Sequence, residues 1–222
     1  MTHKPLLKLA IALLSALSVA QDCPPAARSG PFLAYTIEPD LSGKTPEVRV
    51  DLTFRLAGTR LDLQLPAEWQ GQRELYQAIH DVEAVSPQTA VKATSNPARR
   101  QLTFPLGQII HIRYRVVQEW DGGITAETYF RPILQRSFFQ FTGRNFLVYP
   151  AIPEDQVLPI SVTWKNLPSG WVVASNLGSG TGCQTSRTRL VSATNGLFLG
   201  GDFRLVRVQV HGKPVDVAIR GQ

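Results

Sequence analysis

The 222-residue chain is poor in the residues that usually do chemistry: it has two cysteines, one methionine and four histidines. No His-Glu-x-x-His frame occurs, the arrangement in which two imidazoles one helical turn apart hold zinc and the glutamate activates its water. His80, His111 and His211 fall in three separate segments without ligand spacing, so neither a metal site nor a cofactor is expected from them. There is no Gly-x-Ser-x-Gly elbow either. Gly178-Ser179-Gly180-Thr181-Gly182 comes nearest, but Leu177 stands two residues before Ser179 and no helical pattern follows. The same run lacks the spacing of a dinucleotide loop and reads as a flexible loop. The carboxylate doublets Asp81/Glu83 and Glu154/Asp155 fall in loops or at element ends, where such groups are solvated, whereas a glycosidase needs a pair facing across a cleft. With these constellations missing, the expectation is a non-catalytic protein.

Long apolar runs are equally scarce. The longest, Leu9 to Ala20, is about a dozen residues against the roughly 20 that span a bilayer. It follows Lys4 and Lys8 and ends on the small residues Ser18 and Ala20, the layout of a secretory signal cut after Ala20. Residues 1–20 are therefore expected to be a cleaved signal peptide rather than an anchor, and the mature protein to be secreted or periplasmic, with no membrane segment left. Asp22 before Cys23 disfavours lipidation, which wants a small residue there.

Charge is modest too. The chain has 23 Lys+Arg against 17 Asp+Glu; loss of Lys4 and Lys8 with the signal leaves 21 against 17, an excess of +4. The basic residues are scattered along strands instead of massed, so no nucleic-acid surface is expected. Cys23 and Cys183 form an even pair in an exported chain, which suggests one disulfide. Closing a loop of about 160 residues is worth about 4–5 kcal/mol on chain-entropy grounds.

Alternation is what the chain has in quantity. Residues 21–31 form a Pro/Ala/Ser/Gly tail, and strand character starts at Phe32. Val48 to Leu56 places apolar residues on even numbers and mostly polar ones on odd numbers, the period of a half-buried strand. Leu61 to Leu65 alternates likewise, and the pair reads as a hairpin turning at Ala57 to Arg60. Ile109 to Val117 sets Ile110, Ile112, Tyr114 and Val116 against His111, Arg113 and Arg115. Val206–Val210 and Val215–Ile219, joined at His211-Gly212-Lys213-Pro214, read as a second hairpin. Arg73 to Val85 is the one candidate helix, with a strand as the alternative over Asp81 to Val85. Phe138, Phe139, Phe141 and Phe146 are read as core filling beneath loops, with a substrate groove as the alternative. No repeat of 20–50 residues recurs. The expected fold is all-β and mainly antiparallel over residues 32–222, a β-sandwich or two stacked sheets with at most one short helix. Trp69, Trp164 and Trp171 are its candidate structural anchors.

One ordered set of short segments carries a resemblance. Tyr35-Thr36-Ile37-Glu38, the strand Val48–Leu56, Leu63-Gln64-Leu65-Pro66 with Trp69 and Gly71, Tyr114-Arg115-Val116, Leu167-Pro168-Ser169-Gly170-Trp171 and Phe198–Arg204 follow in the order found in the amino-terminal β domain of the PDZ-bearing glycyl aminopeptidases. The resemblance covers roughly Phe32 to Arg204. It implies a β module of the kind that packs on a thermolysin-like zinc domain and helps shape its substrate cleft. The metal-binding motif of that family is absent here. What the resemblance implies is an exported, non-catalytic module for a peptide or protein partner. The alternatives are the amino-terminal fragment of a zinc aminopeptidase and an unrelated exported ligand-binding sandwich.

Overall fold

The structure, a computed structural model, describes residues 30–220. Period-two segments dominate it, and their apolar sides share one core. The largest sheet has six strands: β1 (Phe32–Asp40), β2 (Glu47–Arg55), β6 (Ile79–Ala84), β9 (Ile110–Val117), β13 (Val157–Trp164) and β16 (Cys183–Arg189), in the order β16-β13-β1-β2-β9-β6. A four-stranded sheet joins β12 (Tyr149–Pro150), β3 (Arg60–Gln64), β8 (Arg99–Thr103) and β7 (Ala90–Ala93) in that order. A five-stranded sheet runs β10 (Ile133–Leu134), β11 (Phe138–Thr142), β17 (Leu197–Gly201), β14 (Val172–Ser175) and β15 (Gly178–Ser179). Two ribbons complete it, β4 (Glu68–Trp69) with β5 (Gln72–Arg73), and β18 (Arg204–Val210) with β19 (Lys213–Ile219). Two short α-helices, α1 (Gly143–Phe146) and α2 (Leu190–Thr194), lie between strands. The all-β sandwich expected from the alternation is what forms.

In β2 the even residues Val48, Val50, Leu52 and Phe54 are fully buried, and in β9 so are Ile110, Ile112, Tyr114 and Val116. Successive side chains of a strand point to opposite faces, so the polar positions form the outer face of the large sheet. There Arg49 and Arg115 stand directly opposite each other, a like-charge pairing that would destabilise the sheet unaided. Carboxylates relieve it. Arg49 donates to Asp40 (2.6 Å) and Glu47 (3.1 Å), Arg115 to Glu47 (2.5 Å) and Asp81 (2.7 Å), and Arg113 to Asp51 (2.9 Å). The scattered arginines of the sequence are thus the solvated half of a sheet.

Three expectations need correction. The candidate helix over Arg73–Val85 is a single 3₁₀ turn, Leu75–Ala78, followed by β6. β9 has a free edge there, and Ile79 and Glu83 pair with Val116 and Arg113 across it, with a bulge between His80 and Glu83. The supposed hairpin of Val48–Leu56 with Leu61–Leu65 does not form either. Both edges of β2 are already taken, by β1 and β9, so the chain crosses to the other layer, where β3 pairs with β8 and β12. Finally, Gly178–Ser179 is not loop but strand, paired with β14. The hairpin at Val206–Ile219 forms as read, with Val206 opposite Val217 and Val208 opposite Val215.

Aromatic rings join the layers. Phe139 of β11 stacks on Trp164 of β13 at 5.4 Å and on Phe141 at 5.1 Å, and Phe146 meets Phe141 and Phe198, each at 4.9 Å. Phe139, Phe141 and Phe146 are buried completely, as core filling requires, while Phe138 faces outward on the same strand. Gly200 lies opposite Phe139, and a Cβ there would come within 2.2 Å of the ring's Cζ. The absent side chain is what lets the ring lie flat on β17. The Tyr35 hydroxyl donates to Val148 O at 3.1 Å, and Val148 N–H donates to the Tyr114 hydroxyl at 3.2 Å. Burial pushes both phenols well above the ordinary tyrosine range, so both stay neutral.

Candidate functional site

A cleft that brings polar, charged and aromatic side chains together lies at one end of the four-stranded sheet. The chain leaves β3 at Gln64 and runs Leu65-Pro66-Ala67 into β4, while β12 pairs along β3 with Tyr149 opposite Gln64. α1 closes the third side. Asn145 supports its start by accepting from Thr142 N–H at 3.0 Å, and it presents Arg144. These segments enclose a cleft of about 380 Å³ lined by Gln64, Glu68, Arg144, Tyr149 and Glu154 among others.

Arg144 organises the cleft. Its two terminal nitrogens donate to the two oxygens of Glu154 at 2.7 and 2.8 Å, and its Nε donates to Asn195 Oδ1 at 2.9 Å. The guanidinium lies 5.9 Å from the centre of the half-buried Trp69 ring. A planar fork matched to a carboxylate is the strong form of this pairing, and it holds the Glu154 carboxyl below the usual carboxylate range. Burial pushes the Tyr149 phenol up, with Arg144 pulling the other way. The lining therefore carries two carboxylates, Glu68 and Glu154, against one guanidinium, and Arg144 is already committed to Glu154. What remains open to a ligand is the exposed Glu68 carboxylate, 3.9 Å from the exposed Arg73, above walls that include Ala67, Ile152 and the Tyr149 ring. Among the described residues no serine, cysteine or histidine lines it.

The sequence-selected residues lie elsewhere or play other parts. His80 and His111 stand exposed on the outer face of the large sheet, where His111 Nδ1 is 3.0 Å from Thr53 Oγ1; His211 occupies the turn of the β18–β19 hairpin. Among the described residues no group of three or more metal-ligating side chains converges. Asp81 and Glu83 face Arg115 and Arg113, and of the doublet Glu154/Asp155 only Glu154 enters the cleft. Trp164 and Trp171 are buried and Trp69 is half-buried beside Arg144. Cys183 opens β16 and is not a free thiol; Cys23, its expected partner, lies outside the described residues, as do the residues read as a signal peptide and most of the tail. Arg144 and Tyr149 were missed by sequence reasoning. The available cue was Thr142-Gly143-Arg144-Asn145, a helix-start spacing that points to a local turn and not to what the turn presents.

No protein-family model matches the chain, and no curated protein sequence matches it. Among solved structures, an aminopeptidase N family protein from Idiomarina loihiensis superposes with a TM-score of 0.68 at 22% identity, over 86% of this chain. The chain corresponds to only 32% of the length of that protein. At this identity the likeness establishes a shared fold: nearly the whole β assembly recurs within a peptidase-family protein.

Proposed function

We propose that the chain is an exported, non-catalytic β-sandwich module, akin to the amino-terminal domain of the glycyl aminopeptidases, that recognises a peptide or protein partner through the cleft beside Trp69 and Tyr149. The observation that carries this reading is the committed Arg144–Glu154 pair: with its guanidinium neutralised, the exposed Glu68 carboxylate, held loosely by Arg73 at 3.9 Å, is the charge left open over apolar walls, and among the described residues no serine, cysteine or histidine lines the cleft. Such a lining suits a cationic side chain or amino group flanked by small apolar residues. The fold shared with a peptidase-family protein supports the association with peptides.

The test is a titration of the mature protein with two capped peptides, acetyl-Ala-Lys-Ala-amide and acetyl-Ala-Glu-Ala-amide, followed by amide and indole NMR shifts. Saturable shifts at Trp69 and Tyr149 with the lysine peptide, weakened by Glu68→Gln and absent with the glutamate peptide, are expected. Equal response to both peptides, or turnover of an aminoacyl-amide substrate by the same preparation, overturns the reading. A second reading takes the chain as the amino-terminal part of a zinc aminopeptidase, favoured by its match to 32% of the neighbour's length. A reading frame continuing past Gln222 into His-Glu-x-x-His decides for it.

A further inference from the structure

The β18–β19 hairpin carries an apolar face that nothing among the described residues covers. Its register puts Val206 opposite Val217 and Val208 opposite Val215, with Val210 and Ile219 on the same side. Val208, Val210, Val215, Val217 and Ile219 are 38–47% exposed. A two-stranded ribbon is marginal without a packing partner, and the backbone ladder of this one pairs only within itself among the described strands. Its other face is the one tied down: Asp216 accepts from Ser179 Oγ at 2.7 Å and from Arg207 at 2.7 and 2.9 Å. A groove of about 720 Å³ beside β19 belongs to that tied-down face, since Ser179, Asp216 and Ala218 line it together with Leu177, Leu197 and Leu199.

Charge defines what fits. Arg204, opposite Ile219, and Lys213, opposite Val210, close the two ends of the valine face. No carboxylate shares that face, since Asp216, the hairpin's only one, lies on the other. From these features we infer that the valine face docks an amphipathic helix of another protein, apolar along its centre and acidic at both ends. The dimensions agree. Seven-residue strands make a ribbon roughly 23 Å long and about 10 Å across, the length of about 15 helical residues and close to a helix's width.

A second copy of the chain fits less well. Face-to-face pairing brings the cationic ends together in either direction. A lipid surface fits less well too, because the hairpin contains no Trp, Tyr or Phe, the residues favoured at membrane interfaces. The inference extends the recognition reading to a second surface, and the cleft variant Glu68→Gln separates the two: it should leave this binding intact.

The experiment uses the mature protein and two designed 15-residue helical peptides, each with leucines along one stripe, one flanked by glutamates and the other by lysines. At low salt the acidic peptide should bind at least tenfold more tightly, shift the Val208 and Val215 resonances, and weaken as salt is raised. Val208→Glu should abolish the binding without moving the melting temperature. The double variant Arg204→Glu, Lys213→Glu should invert the preference toward the lysine peptide. Equal affinity for both peptides, shifts confined to other surfaces, binding to phosphatidylglycerol vesicles abolished by Val208→Glu, or Val208-dependent self-association each overturns the inference.

Discussion

At the scale of single residues, the Leu167–Trp171 segment shows most directly how sequence becomes packing. Gly170 takes a positive φ of 81° and Trp171 N–H donates to Pro168 O at 3.1 Å, a turn that swings the indole inward. The ring ends 8% exposed and 6.0 Å from Phe139, at the edge of the aromatic stack between sheets. Trp171→Ala should therefore cost about 3–5 kcal/mol, a large share of a domain's ~5–15 kcal/mol, read as a lower denaturant midpoint and poorer soluble yield. Trp171→Phe, which keeps most of the apolar volume, should be milder. An alanine variant that melts like the parent but loses a ligand would make the ring a binding platform. The Pro-Ser-Gly-Trp run announces its turn in one dimension. Arg144 announces nothing, because its roles depend on Glu154 and Asn195, brought to it only by the folded chain.

For elements, the alternation reported which side of each strand is buried and left open which strand lies beside it. β2 and β3 were legible as strands but pair in different sheets, and the residues after Ala78 chose strand over helix because β9 needed an edge partner. The β18–β19 hairpin is the contrasting case, since a short turn between two valine-rich runs makes the pairing local. Its cross-strand ion pair makes it pH-sensitive. Arg207 first, and then Ser179, lower the Asp216 carboxyl from 3.8 to about 2. A folded-state value below the unfolded one means the stabilisation is complete above the unfolded pKa and fades as pH falls from about 4 toward 2. Amide exchange across Val206–Val208 and Val215–Val217 should accelerate over that interval. In Arg207→Gln most of the acceleration should vanish; an unchanged profile would place the sensitivity elsewhere.

For the molecule as a whole, the backbone of Val148 is an anchor point, its C=O held by Tyr35 and its N–H by Tyr114, both of the large sheet. Replacing either Tyr35 or Tyr114 with Phe strands a buried backbone group and should cost about 1–3 kcal/mol. The two losses should be non-additive, because both act on the backbone of one residue, and a denaturation double-mutant cycle checks it; additive, negligible losses would show that the packing of the rings alone matters. Those tyrosines were recognisable beforehand only as apolar-side residues of alternating strands. The sequence alone determined the strand-rich class, the inward and outward faces, the terminal hairpin and the poverty of catalytic motifs, since each follows from local period or from spacing within a few residues. The tertiary structure alone decided that β1 pairs in parallel with β13, so that Leu33 meets Ile160 across more than a hundred intervening residues. It also decided that β3 belongs to the opposite layer and that Arg144, Tyr149 and Glu154 share one cleft. Such choices rest on closing long loops so that apolar faces bury one another. A period of two records a side chain's direction and carries no record of its distant partner.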